Sequence, residues 1–147
     1  MSTRGSFLDT TVLISAAFPR ERRHGEGRAI VEAIEDGAIG RPVFTDYVLD
    51  ELVTFIRRKK GAAESNEALD IMLYSPNLNM VKVEDRHFEA GIQLFRTYER
   101  LSLTDATSVT VMRDLGIDFI FSFDSGFDGI PGITRLTSVE GYNDMLS

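Results

Sequence analysis

Near the C-terminal end of the chain, Phe119-Ile120-Phe121-Ser122-Phe123 is apolar on both faces when extended, and few folds can hold such a strand. A strand with one face in water alternates apolar and polar residues. One covered on both sides belongs inside a parallel sheet, whose crossover helices blanket both faces. The rest of the chain supplies the other parts. Phe7-Leu8, Pro42-Val43-Phe44-Thr45, Asn79 to Val83 and Ile133 to Leu136 read as further short strands. Between them lie helical patterns: Thr10 to Ala17, stopped near Pro19; Arg28 to Glu35, with Gly37 as C-terminal cap; a helix capped by Asp46 and running to Gly61; and Ala63 to Tyr74. A helix capped by Asp85 carries Phe88, Ile92 and Phe95 on one face, and another opens at Thr104 and stops at Gly116. Arg20 to Gly27 reads as a loop. Alternating strands and helices predict a three-layer α/β/α fold with a central, mostly parallel sheet of four to five strands, formed as one domain over 1–147.

Four acids stand in unusual places on this scaffold. Asp105 shares a helix face with Ala106, Val109 and Met112, so its carboxylate is aimed at the core. The helix macrodipole favours an acid there for purely structural reasons. Asp9 ends the first strand and Asp124 the apolar one. Glu51 falls at the edge of the stripe Val48, Leu49, Leu52, Val53 and Ile56, whereas Asp50 falls opposite it. In an open parallel sheet ligands gather beyond the carboxyl ends of the strands, where the strand order reverses. The fold therefore predicts one rim for acids that are far apart in sequence. Carboxylates so gathered repel one another and raise each other's pKa, and a hard divalent cation reverses the sign of that interaction. Such a cation polarises a phosphoryl oxygen and makes a water more acidic, which suits phosphodiester hydrolysis.

Composition narrows the choices. The 147 residues suit one domain, and 43% hydrophobic with 27% charged content argues against wholesale disorder. With no cysteine, disulfides, thiolate zinc sites and a cysteine nucleophile are excluded. No apolar run approaches the ~20 residues that cross a bilayer, and no signal-peptide pattern opens the chain, so a cytoplasmic protein without membrane attachment is expected. A net charge of −7 counts against a nucleic-acid partner unless part of it is a cation-binding cluster. Local positive charge exists at Arg22 and Arg23, and at Arg57 and Arg58; each pair suits either a phosphate backbone or a solvated surface.

In order, spacing and flanking residues, four stretches resemble the PIN-domain nucleases: Phe7-Leu8-Asp9-Thr10, Val48-Leu49-Asp50-Glu51-Leu52, Ser102-Leu103-Thr104-Asp105-Ala106, and Phe121-Ser122-Phe123-Asp124-Ser125-Gly126-Phe127-Asp128. The chain looks most like the small VapC-type toxins of toxin–antitoxin pairs, and the likeness runs from Phe7 to Leu136. It implies a PIN-like fold and a metal-dependent endoribonuclease that uses water to leave a 5′-phosphate and a 3′-hydroxyl. It implies Mg²⁺, with Mn²⁺ able to substitute, held chiefly by Asp9 and Asp105 and completed by Asp124. Glu51 would orient the attacking water or assist proton removal. Asp128 would serve a second ion or simply be an acid in a glycine-rich turn. Thr10, Thr11 and Ser122 are placed to bond the carboxylates and fix their rotamers, and Thr11 stands where many members carry asparagine. Partners implied are RNA, a cognate antitoxin protein that reaches a basic group toward the acids, and a second copy of the chain.

Cleavage through a 2′-hydroxyl usually needs an imidazole base, and the two histidines fit this poorly: His24 lies in the basic loop, and His87, before Phe88, reads as a surface or capping residue. Three rivals remain. A non-catalytic binding platform would have no reason to keep all four acids. A receiver or phosphatase-type protein wants a lysine after a late strand, and none follows Asp124. An RNA-processing or decay nuclease would differ from a toxin only in its substrate and genomic neighbourhood.

Overall fold

The computed structural model describes residues 5–147, so the first four residues of the expected domain lie outside the described residues. It contains five three-residue strands: β1 (Ser6–Leu8), β2 (Val43–Thr45), β3 (Asn79–Val81), β4 (Phe119–Phe121) and β5 (Thr134–Leu136). Seven helices join them: α1 (Thr10–Ala17), α2 (His24–Glu35), α3 (Asp46–Lys60), α4 (Ala62–Tyr74), α5 (Asp85–Thr97), α6 (Leu103–Leu115) and α7 (Val139–Leu146). The sheet order is β3-β2-β1-β4-β5, and every neighbouring pair is parallel. The first two crossovers run one way along the sheet and the third returns past them. Right-handed connections therefore set α1 to α4 on one face and α5 with α6 on the other. The strand order reverses between β1 and β4, where Leu8 is level with Phe121, and the acids after both strands emerge at this point.

The apolar run is central, as its pattern requires. Phe7, Leu8, Phe44, Ile120 and Phe121 are fully buried, and each contributes about 1.5–3 kcal/mol of burial. Helix α7 packs Tyr142 edge-on against Phe119, with ring centroids 6.0 Å apart. Among the described residues no helix is long and apolar enough to cross a membrane.

Several boundaries differ from the sequence reading, each for a local reason. The expected loop before Arg28 is already helical from His24. Gly25 and Gly27 disfavour a helix by propensity, but a Cβ at Gly27 would lie 2.8 Å from the backbone nitrogen of Ala16, so the glycine is what lets α1 and α2 approach. Thr45, not Asp46, caps α3 by accepting the Val48 N–H at 3.2 Å, while Asp46 accepts the Val83 N–H at 2.8 Å. Glu84 rather than Asp85 caps α5. Helix α7 has a single buried residue and therefore gives almost no periodic signal.

Candidate active site

Asp9 sits at the N-cap of α1 but does not cap it, and its carboxylate turns toward β4 instead. One oxygen, Oδ2, accepts hydrogen bonds from Thr11 Oγ1 and Ser122 Oγ, both at 2.7 Å. Each hydroxyl in turn accepts a backbone N–H, Thr11 from Phe123 and Ser122 from Asp124, both at 3.0 Å. With lone pairs so occupied, the hydroxyl protons are directed at Asp9, and the network favours a carboxylate there. Among the described residues no donor meets the other oxygen. Thr11, the departure from the usual asparagine, thus performs the supporting role. Thr10 does not: its buried hydroxyl has no hydrogen-bond partner, because one step along a helix turns the side chain about 100° away.

Asp105 is placed by a capping box. The N-cap of α6 is Ser102, not Thr104; Ser102 Oγ accepts the Asp105 N–H at 3.0 Å, and Asp105 Oδ2 accepts the Ser102 N–H at 3.4 Å. Gly126 places Asp124, donating its N–H to Oδ1 at 2.8 Å. A Cβ on Gly126 would come 2.6 Å from the Arg100 carbonyl oxygen, so no larger residue fits this turn. Glu51 is exposed on the first turns of α3, at the mouth of a recess it shares with Tyr47, Arg58 and Thr104.

The charges of these acids are coupled. Burial pushes the Asp9 carboxyl up, Glu51 and Asp124 push it further, and the Ser122 and Thr11 hydrogen bonds oppose the rise. Asp105 is pushed up to about 7, first by burial and then by the charges of Asp9 and Asp124. Asp9 and Asp105 thus both hold their protons more tightly than an ordinary aspartate, within the field of the other acids at this rim. Each aspartate has one oxygen held by the protein's own donors and one left over. Carboxylate oxygens left over in this way are the donor type a hard divalent cation takes, alongside retained waters, although among the described residues only Glu84, His87 and Asp114 bring three ligand atoms within 4.8 Å of one another.

Other expectations resolve differently. Asp128 is not turned to the rim: Arg135 grips its two oxygens at 2.8 and 3.0 Å and holds its pKa below the usual range, so a role for a second ion is not supported. Arg57 bonds Ser65 Oγ and Asn66 Oδ1, each at 3.1 Å, which joins α3 to α4, and it stays exposed in a surface recess it shares with Arg58. Arg58 borders the Glu51 recess, and Arg22 and Arg23 border a second one beside Thr11 and Phe123. His24 donates Nδ1–H to the Ser15 carbonyl at 2.8 Å.

His87 is buried, not a surface residue. Its Nδ1 accepts the Glu84 N–H at 3.0 Å, completing the cap of α5, and its Nε2 meets Asp114 at 2.9 Å. Glu84, His87 and Asp114 have ligand atoms within 4.8 Å of one another, yet Arg86 pairs with both carboxylates, at 2.7 and 3.0 Å. A guanidinium already occupies the position a cation would take, so the trio is an ion-paired helix cap. Sequence reasoning did not find Arg135, whose Nη1 donates to the Ser122 carbonyl at 3.2 Å; only the pairing of β5 with β4 brings it there.

A five-stranded parallel sheet with acids converging at its switch point defines a small α/β protein of the PIN class, and the PIN-domain family model matches residues 6–133. The VapC ribonuclease of Archaeoglobus fulgidus is 31% identical over 133 residues, spanning 88% of this chain and 83% of that protein. The chain belongs to the PIN-domain family and is VapC-like within it. Among solved structures, Mycobacterium tuberculosis VapC20, a sarcin-ricin loop cleaving toxin, is similar with a TM-score of 0.71 and 27% identity over 82% of this chain and 90% of that one. VapBC2 from Rickettsia felis, bound to a DNA fragment from its promoter, shares the fold with a TM-score of 0.66 and 15% identity over 90% of this chain and 97% of that one.

Proposed function

We propose that this protein is a metal-dependent endoribonuclease, acting as one domain over 1–147 and serving as the toxin of a toxin–antitoxin pair. The observation that carries the reading is the state of Asp9: buried, fixed by two hydroxyls, and surrounded by Glu51, Asp105 and Asp124, with no basic residue bonded to it among the described residues. Asp9, Asp105 and Asp124 would hold Mg²⁺, or Mn²⁺ in its place, through the oxygens their own hydrogen bonds leave over. The ion supplies polarisation of the phosphoryl oxygen and a more acidic attacking water. Glu51, exposed at the rim, would orient the attacking water or assist removal of its proton. Arg22, Arg23 and Arg58 carry the positive charge that holds the RNA backbone against a net charge of −7.

An antitoxin partner agrees with the likeness to VapBC2, and the cytoplasm is the setting where RNA and such a partner meet. A homodimer agrees with the exposure of Ile71 and Tyr74 on α4, at 56% and 77%. The test is cleavage of purified RNA. Wild type should cut in Mg²⁺ or Mn²⁺, leave 5′-phosphate ends and stop in EDTA, while Asp9→Asn should lose at least ~100-fold in rate and remain folded. Cleavage that survives EDTA, or ends bearing a 2′,3′-cyclic phosphate, would overturn the reading.

A further inference from the structure

The loop from Ser122 to Asp128 supports more of the rim than Asp124 alone. At its start the Ser122 hydroxyl donates to Asp9 at 2.7 Å and accepts the Asp124 N–H at 3.0 Å. Midway, Ser125 Oγ accepts a hydrogen bond from Arg100 at 2.5 Å, and Gly126 lies against the Arg100 carbonyl, close before the Ser102 cap that places Asp105. A shift of this loop would therefore disturb three acids at once. Such a shift has a driving force, because Asp124 lies within the field of Asp9 and Asp105 and like charges repel. The bonds inside the loop, from the Gly126 N–H to Asp124 and from the Asp128 N–H to the Ser125 carbonyl, shape it without tying it to the sheet.

Arg135 supplies such a tie. It stands on β5, level with Ile120 of β4, and its side chain is 18% exposed. Its Nη1 donates to the Ser122 carbonyl at 3.2 Å, while Nε and Nη2 donate to the two Asp128 oxygens at 2.8 and 3.0 Å. One guanidinium thus holds both ends of the loop. A surface ion pair between flexible side chains fixes little, but a planar fork on both oxygens sets direction as well as distance. The Asp128 hydrogen bonds first, and the charges of Asp128 and Asp124 as well, hold the Arg135 pKa above its ordinary value, so the guanidinium also lies within the field of Asp124.

We propose that Arg135 is a positioning residue for the cation site, a clamp that holds the Asp124 loop against the repulsion of the acids through Asp128 and the Ser122 carbonyl. The proposal rests on the metal-dependent nuclease reading, and in it Asp128 anchors the clamp rather than binding a cation. Charge and geometry then predict different outcomes. By charge alone, Arg135→Gln would remove a cation near the site and tighten Mn²⁺ binding, whereas Asp128→Asn would remove an anion and weaken it. A clamp requires both to weaken it.

The experiment uses the full chain. Hydrogen exchange read by NMR on the metal-free protein should show the Asp124 and Gly126 amides exchanging at least ~10-fold faster in both variants. The Asp9 amide, bonded to the Phe121 carbonyl at 3.1 Å, should keep its protection, which shows the sheet intact. Asp128 is 51% exposed, so Asp128→Asn tests the clamp even where a change at Arg135 disturbs folding. Calorimetry should show Mn²⁺ affinity about 10-fold weaker in each variant. Arg135→Lys keeps the charge without the fork and should weaken it too. In an Asp124→Asn background Arg135→Gln should cause no further loss, because both act through one carboxylate, whereas a merely structural defect would add. Unchanged exchange, tighter Mn²⁺ binding in Arg135→Gln, or wild-type affinity in Arg135→Lys would overturn the clamp and leave the nuclease standing. Variants that behave as expected in a protein that never cuts RNA would overturn the nuclease reading and leave the clamp, and a wild type that binds no Mn²⁺ would overturn both.

Discussion

Asp105 and Asp9 occupy positions where ionisation costs the fold, and the direction of that cost can be measured. The carboxyl of Asp105 titrates near 7 in the folded protein against 3.8 for an ordinary aspartate, so the folded state holds its proton more tightly than the unfolded one. The stability linked to that proton is fully present below pH ~4 and is lost as pH rises through 7, at up to about 1.4 kcal/mol per pH unit within this window. Asp9, raised in the same direction, adds to the loss. Urea unfolding of the metal-free protein should therefore show stability falling between pH 4 and 7. Asp105→Asn should flatten the fall and gain about 1–3 kcal/mol at pH 8. A variant less stable than wild type at pH 8 would mean that ionising the buried Asp105 carboxyl costs the fold nothing. At this scale Asp9, Asp105 and Asp124 were legible because each ends or opens an apolar element. The choice between Thr10 and Thr11 was not, since both lie in the same helical turn and only the orientation of α1 against β4 separates them.

Helix caps show the same division between what local pattern gives and what tertiary contact decides. The start of α6 was readable to within two residues, and the shift from Thr104 to Ser102 matters because it puts Asp105 at the third helical position, within reach of the cap. The cap of α5 depends on a histidine whose other nitrogen contacts Asp114, on α6, and no pattern in α5 announces that partner. Gly91 belongs to the same contact: a Cβ there would lie 2.8 Å from the Thr107 side chain, so the two helices meet at this glycine. His87→Ala should cost about 1–3 kcal/mol in urea unfolding by leaving the Glu84 N–H without its partner and opening the helix contact. It should leave metal affinity unchanged, which separates this cap from a metal site. A loss of metal binding in His87→Ala would reverse that assignment.

For the whole molecule, the strand order explains how the site forms. Because β1 and β4 are neighbours at the reversal of the sheet, residues 9 and 124 emerge side by side, and the crossover returning through α6 brings residue 105 to them. The parallel layout was legible from one doubly buried strand and the alternation of elements. The order of strands rests on the resemblance and on the structure, because a strand of three residues carries no mark of its neighbours. Basic residues were harder still: of the four arginines singled out, Arg57 bonds α4 while staying exposed, and sequence alone does not show that a charge will bond the next helix. Binding of Mn²⁺ to the metal-free protein, followed by calorimetry on wild type and single variants, tests most directly whether four distant acids make one cation site. Asp9→Asn, Glu51→Gln, Asp105→Asn and Asp124→Asn should each weaken the same site, Thr11→Val should weaken it by about 10-fold through the loss of its hold on Asp9, and Asp114→Asn should leave it unchanged. Wild-type affinity in Asp9→Asn and Asp105→Asn, or a site lost in Asp114→Asn, would contradict the convergence.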